Sequence, residues 1–186
     1  MMTSSNQEVP LTVAITVQAR RKLNAFIAQC PQEISGLGTV EVVAGGLLIT
    51  DVFLLQQEVT PSETVLPALT VAYFLATATD NGIDPSQLRL WWHSHATDQP
   101  YFSPTDLATI TGTFDTSPWL LSYVGCHEGT YQARLDVFAS NTTPVRLSKP
   151  VVIRTVEESS FTNEIDLEIK RLVTFPSPPP TRRKSR

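Results

Sequence analysis

The spacing of apolar side chains predicts an amphipathic helix near the start of the chain. From Thr16 onward the apolar residues share one helical face, three consecutive basic residues lie off that face, and Pro31 ends the pattern. The residues on the apolar face are Ala19, Leu23, Phe26, Ile27 and Cys30. We therefore predict a first helix that packs one side against the rest of the protein.

Two antiparallel strands are predicted after this helix. Residues 37–43 and 47–55 are rich in leucine and β-branched side chains, and they flank the tripeptide Ala44-Gly45-Gly46. Glycine accepts the positive φ angles that a tight turn requires, so the two segments should form a hairpin.

The remaining pattern alternates between helical and strand-like segments. Residues 63–79 are apolar on nearly all sides, which predicts a helix buried against a sheet. A strand ending in two histidines follows, then a short helix from Pro104, and a last helix is predicted over 159–173. Three further strands are predicted at about 120–125, 131–138 and 145–155. We expect an α/β fold in which a mixed, largely antiparallel sheet is sandwiched by helices.

Length and composition predict one folded domain. The chain has 186 residues, of which 41% are hydrophobic, enough for one substantial core. We place this domain at residues 11–175, after a flexible N-terminus of residues 1–10. Residues 176–186 combine prolines with basic residues and show no apolar periodicity, so we expect a disordered tail there.

Charge and hydropathy exclude several classes of partner. The net charge is −4, and four of the fourteen basic residues lie among the last five positions, so the rest of the chain is more acidic still. An acidic surface is a poor match for a phosphate backbone, so we expect no nucleic-acid partner. The absence of a long apolar run and of a signal-peptide pattern predicts a cytoplasmic protein without a membrane span. Cys30 and Cys126 are too far apart for a CxxC site and should pack as small apolar residues.

The candidate chemistry lies in residues 93–106, HSHATDQPYFSPTD. Alternate side chains of a strand share a face, so His93 and His95 can converge on one ion. Asp106 adds a carboxylate. Zinc in hydrolytic sites usually takes three ligands from His, Asp and Glu and keeps a fourth position for water. We therefore predict that these three residues bind Zn²⁺.

The second half of this segment also predicts the start of a helix. Ser103 suits the N-cap, Pro104 the first helical position, and Asp106 the third position of a capping box. Both interpretations can hold, because the first turn of a helix is a rigid place from which to direct a carboxylate at a metal.

The spacing H-x-H, seven residues, then S-x-x-D resembles the JAMM (MPN+, JAB-domain) zinc metalloproteases, which include deubiquitinases and prokaryotic relatives. In that family a glutamate lies just after the first helix, in a segment similar to E-x-x-G-L-x-x-G, and Glu33 of the segment EISGLG occupies this place. The resemblance implies an MPN/JAB-like (cytidine-deaminase-like) fold. It further implies that His93, His95 and Asp106 bind zinc, that Glu33 activates the water, and that Ser103 hydrogen-bonds the oxyanion.

The same resemblance implies an activity. We expect an isopeptidase or peptidase that hydrolyses the amide bond after the C-terminal tail of a ubiquitin-like protein or a similar extended peptide. Residues 56–67 are where the resemblance places contacts to the substrate tail. The alternative is a non-catalytic scaffold of MPN type. Nucleobase deaminases and H-E-x-x-H peptidases do not fit, because their motifs are absent from the sequence.

Other residues compete for some of these roles. Glu41, Glu58 and Glu63 also precede the histidines and are alternatives to Glu33 as the base. Asp98, within the seven-residue spacer, is either a loop residue or an alternative ligand. His127 has the sequence context of a turn residue.

Overall fold

The computed structural model describes residues 10–60, 63–65, 68–114, 117–138 and 146–156. The strands are β1 (Leu11–Thr16), β2 (Ser35–Val43), β3 (Gly46–Leu54), β4 (Glu58–Thr60), β5 (Glu63–Val65), β6 (Leu88–His95), β7 (Trp119–Cys126), β8 (Tyr131–Phe138) and β9 (Arg146–Val156). The helices are α1 (Val17–Gln29), α2 (Ala68–Ala78) and α3 (Pro104–Thr113). These elements belong to a unit that ends at Val156. The predicted last helix, the basic tail and residues 1–9 lie outside the described residues.

Seven strands form a closed β-barrel of mixed direction. Their order around the barrel is β1-β3-β2-β6-β7-β8-β9, and β9 pairs with β1. The pairs β1–β3, β1–β9 and β6–β7 are parallel. The other four neighbouring pairs are antiparallel. Strands β4 and β5 form a separate two-stranded sheet.

The predicted α/β sheet sandwiched by helices is therefore wrong. The sequence LTVAIT forms β1, a strand that the periodicity did not predict, and all six of its residues pair with β9. The same strand pairs with β3, so it joins the two ends of the sheet and closes it. The described residues contain only three short α-helices, too few to cover both faces of a sheet.

The apolar segment at residues 63–79 also differs from the prediction. Its first residues form β5, and α2 begins only at Ala68. One side of this helix packs on the sheet, where Phe74 contacts Phe53 of β3. The helix is not buried all round, because Leu69 is 85% exposed and Tyr73 is 72% exposed. Within the described ranges, no helix combines the length and hydropathy needed to cross a bilayer.

The first helix and the local strand predictions are confirmed. Thr16 caps α1 by accepting a hydrogen bond from the Ala19 N–H, at 3.1 Å. Ala19, Leu23 and Ile27 are buried along the predicted face. The β2–β3 hairpin turns at Gly46, whose φ of 135° suits glycine. The three predicted late strands correspond to β7, β8 and β9.

Alternating side chains of β6 enter two different apolar clusters. Leu90 and Trp92 belong to the larger core, which also contains the buried residues of α1. Trp91 belongs to a second cluster with Ile110 of α3 and Leu120 of β7. Residues of the same parity share a face of a strand, so the two histidines at the end of β6 project on the side of α3.

Candidate metal centre

The two predicted histidine ligands end a strand in the wall of the barrel. His93 and His95 are each 6% exposed, and their ring centroids lie 5.1 Å apart. β2 pairs with β6 on one side, where Ser35 lies opposite His93. β7 pairs with it on the other side, where Cys126 is in register with His95. Both imidazoles are therefore held by a strand that has neighbours on each side.

Helix α3 brings Asp106 to these histidines. The Asp106 N–H donates to Ser103 Oγ at 3.1 Å, and the Ser103 N–H donates to Asp106 Oδ2 at 2.7 Å. This is the predicted capping box. The same Oδ2 lies 3.4 Å from His93 Nε2 and 3.8 Å from His95 Nε2. One carboxylate thus caps the helix and faces both rings.

These three side chains form a group that can bind a metal ion. Their ligand atoms lie within 4.8 Å of one another. Both ring nitrogens of His93 are buried and make no hydrogen bond within the described part of the chain. Leaving a buried polar atom unsatisfied costs roughly 1–3 kcal/mol, and a metal bond to one nitrogen removes part of that cost. Two imidazoles and one carboxylate are a donor set of catalytic zinc sites and also suit other divalent transition metals.

The charge on Asp106 suits a cation. Burial alone raises the pKa of its carboxyl group, but the imidazoles of His93 and His95 and the hydrogen bond with Ser103 outweigh burial. Their combined effect holds the pKa of Asp106 well below its usual range. The carboxylate therefore stays ionised at neutral pH and is ready to bind a metal.

Aromatic rings surround the two imidazoles. Trp91 stacks on His93 with centroids 4.8 Å apart, and Phe102 contacts the same imidazole edge-on at 6.0 Å. Tyr101 meets His95 edge-on at 4.9 Å and is half exposed. Tyr101 and Phe102 were not predicted as site residues. The only available signal was their position directly before Ser103.

The main chain next to Glu33 is hydrogen-bonded to β6 between the two histidines, but Glu33 itself is not one of the three grouped ligands. It is half-buried, two residues before the first residue of β2. The adjacent Ile34 is bonded to Ser94 twice, through Ser94 N–H to Ile34 O at 2.8 Å and Ile34 N–H to Ser94 Oγ at 3.0 Å. The β2–β6 pairing ends at Ser35 opposite His93, and the same register extended by two residues would bring Glu33 opposite His95.

The alternative glutamates lie elsewhere in the fold. Glu41 is six residues beyond Ser35 on β2, which at about 3.3 Å per residue is roughly 20 Å along the strand. Glu58 pairs with Val65, and Glu63 pairs with Thr60, at the two ends of the small sheet formed by β4 and β5. Among the four glutamates, Glu33 is therefore the one nearest in the chain to Ser35, which pairs with His93.

The two other residues considered as ligands do not join the group. Asp98 lies in the exposed loop after β6, where its main-chain oxygen accepts a 3.5 Å hydrogen bond from the Thr130 hydroxyl. His127 lies in the turn between β7 and β8, and its Nε2 is 2.7 Å from Cys30 O. His127 therefore ties that turn to the end of α1, away from the metal group.

Comparison with known proteins shows the fold. No protein-family model and no curated protein sequence matches the chain. The structure is similar to the solution structure of protein DSY2949 from Desulfitobacterium hafniense, with a TM-score of 0.54 and 13% sequence identity. The match covers 78% of this chain and 95% of that protein. At this level of identity the two proteins share a fold, and the likeness says nothing of activity.

Proposed function

We propose that this protein is a zinc-dependent isopeptidase or peptidase. Its substrate would be a ubiquitin-like protein, or a similar extended peptide, that is cleaved at the amide bond following its C-terminal tail. The observation that carries the proposal is the convergence of His93, His95 and Asp106, whose ligand atoms lie within 4.8 Å of one another at the end of β6. Glu33 supports the proposal because it lies two residues before Ser35, the residue of β2 that pairs with His93.

The roles of the residues follow from their chemistry. A zinc ion held by His93, His95 and Asp106 would supply a Lewis acid that acidifies a bound water and polarises the substrate carbonyl. Glu33 would be the general base that takes up a proton and then returns it to the leaving amine. Ser103 Oγ accepts from the Asp106 N–H, which leaves the hydroxyl hydrogen to donate to the developing oxyanion.

The small sheet of β4 and β5 offers a place for the substrate tail. It lies within residues 56–67, where the resemblance to JAMM proteases placed such contacts, and it consists of only two strands. Neither strand pairs with a further strand among the described residues, so an extended peptide can add at an edge of this sheet. Strand addition binds the tail through main-chain hydrogen bonds and so suits an extended substrate.

Metal analysis and two substitutions test the proposal together. Protein purified without chelators should contain about one zinc per chain, and the His95→Ala variant should lose it. A panel of ubiquitin-like fusions with a C-terminal extension supplies the substrates. Glu33→Gln should keep its zinc and lose about 10²-fold or more in rate. Glu41→Gln, on the far part of β2, is the matched control. Full activity in Glu33→Gln would remove this residue from its proposed role.

A non-catalytic scaffold is the second candidate. The observation that favours it is the apolar face of α2, where Leu69 and Tyr73 are largely exposed. A scaffold would bind its partner through such a surface without needing the metal. Protein that contains no zinc, cleaves none of the fusions and still binds one of them through α2 would support this alternative over the protease.

A further inference from the structure

The side chain of Gln57 acts as a strand partner for Ser35. The β2–β3 pairing ends at Gly36 opposite Leu54, so Ser35 lies beyond the end of β3. Gln57 Oε1 accepts from the Ser35 N–H at 2.8 Å, and Gln57 Nε2 donates to Ser35 O at 2.8 Å. The same Nε2 donates to Leu55 O at 2.7 Å. One amide side chain thus replaces two main-chain hydrogen bonds that a longer β3 would have made.

Ser35 connects this amide to the candidate metal centre. Its Oγ accepts from Trp91 Nε1 at 2.9 Å and donates to Trp92 O at 3.1 Å. Trp91 in turn stacks on His93. Ser35 is 3% exposed, so these bonds are shielded from water and hold it firmly.

The segment that carries Glu33 is therefore held from both sides. Ser94 of β6 bonds the main chain of Ile34 on one side, and Gln57 bonds the main chain of Ser35 on the other. Gln57 is also the residue directly before Glu58, where β4 begins. Gln57 therefore links the start of the small sheet of β4 and β5 to the chain beside Glu33.

We propose that Gln57 is a positioning residue, which sets the distance between Glu33 and the metal ligands and makes that distance depend on the β4–β5 sheet. This inference rests on the proposed function, because it assigns Gln57 a part in the work of the base. A misplacement of about 1 Å in a catalytic group can cost about 10²-fold in rate. A substrate peptide that adds to the β4–β5 sheet would therefore restrict the movement of Glu33.

The test compares two neighbouring glutamines. Gln57→Leu keeps the volume of the side chain and loses all three hydrogen bonds, while Gln56→Leu changes an exposed neighbour and serves as the control. We expect kcat on a cleavable fusion to fall roughly 10- to 100-fold in Gln57→Leu, with KM and zinc content little changed. The control should keep the wild-type kcat. A fall confined to KM or to zinc content would overturn the positioning role.

A double-mutant cycle separates positioning from general destabilisation. If Gln57 acts through Glu33, then adding Gln57→Leu to Glu33→Gln should lower kcat no further than Glu33→Gln alone. Multiplicative losses would show that Gln57 acts by another route and would overturn the inference. Gln57→Glu is a second variant for the case in which Gln57→Leu does not fold, because it keeps the acceptor for the Ser35 N–H.

Amide hydrogen exchange tests the hydrogen bonds between Gln57 and Ser35 without any hydrolysis. In the full-length, zinc-loaded protein, Gln57→Leu should speed exchange at the Ser35 amide about tenfold or more, while amides in the centre of β6 keep their wild-type rates. Unchanged exchange at Ser35 overturns the inference even if the protein is an active protease. A wild-type protein that cleaves no fusion overturns the proposed function instead, even where exchange at Ser35 responds.

Discussion

Replacing Gly36 by alanine should disrupt the strand that leads from Glu33 into the barrel. A Cβ atom at this position would lie 2.0 Å from the main-chain oxygen of Phe53 and 2.7 Å from two ring atoms of Trp92. Neither neighbour can yield easily, because the oxygen belongs to the backbone of β3 and Trp92 is fully buried. To reach ordinary contact distances, β2 and β3 must separate by at least about 1 Å at this point.

The cost of this separation can be bounded. Overpacking a tight core costs about 1–3 kcal/mol, and each main-chain hydrogen bond lost nearby adds about 1 kcal/mol. We expect Gly36→Ala to lower the free energy of unfolding by about 3–5 kcal/mol, which for a domain of this size lowers Tm by roughly 10 °C. Because Ser35 and Trp92 flank the metal ligands, zinc affinity should fall as well.

Urea and thermal unfolding, followed by circular dichroism, measure this effect. Gly112→Ala is the matched control, since a Cβ there meets nothing within 4 Å and the residue lies in α3. Alanine in a helix is more favourable than glycine by about 0.5–1 kcal/mol, so the control should be stabilised. The reasoning would be refuted if Gly36→Ala unfolded within about 1 kcal/mol of the wild type.

Three further substitutions test the capping box, the metal site and the pKa of a buried tyrosine. Asp106→Asn keeps an oxygen that can accept from the Ser103 N–H but loses the charge, so zinc affinity in a chelator competition should fall at least about tenfold while stability changes little. A large loss of stability would instead make Asp106 mainly a cap. Ser103→Ala should lower stability by about 1 kcal/mol and the hydrolysis rate by about 10²-fold with zinc retained; an unchanged rate would contradict its role at the oxyanion. Burial raises the pKa of Tyr123 to about 12. The raised pKa of Tyr123 contributes about 2–3 kcal/mol to the free energy of unfolding. This contribution is complete below about pH 10 and disappears as the pH rises towards 12. Tyr123→Phe should remove this alkaline loss in urea unfolding at pH 9 and 11.5, and an unaltered loss would contradict the assignment.

The sequence predicted the elements that depend on local pattern. The α1 stripe, the β2–β3 hairpin and the capping box at Ser103 each arise from residues close together in the chain, so periodicity and cap chemistry identify them. Barrel closure depends on β1 finding β9, a pairing between segments that are far apart in sequence. No local pattern identifies β9 as the partner of β1, and this is why a sheet sandwiched by helices was predicted in place of a closed barrel.

The error at α2 has a different cause. A helix that is apolar on all sides usually packs inside a protein, and residues 63–79 were interpreted in this way. In the structure, Leu69 and Tyr73 face outward. An apolar pattern predicts that side chains avoid water, but it does not show whether they pack against the same chain or against another molecule.

The candidate site was predictable only where its residues follow a spacing. His93, His95 and Asp106 were identified by their separation along the chain, and the structure brings them together. Gln57 carried no such signal, because a side-chain amide that bonds main-chain groups of another segment leaves no period in the sequence. Contacts of this kind have to be found from the structure.

The closure of the barrel by β1 and β9 has a consequence for how the protein is made. Leu11 pairs with Val151, so β1 leaves the ribosome long before its partner β9 has been synthesised. Until then β1 and β8 each have an unpaired edge, which makes the nascent chain vulnerable to aggregation, and contacts so distant in sequence slow folding. Deleting residues 11–16 would open the finished barrel in a similar way, because β3 and β9 would each lose a partner strand.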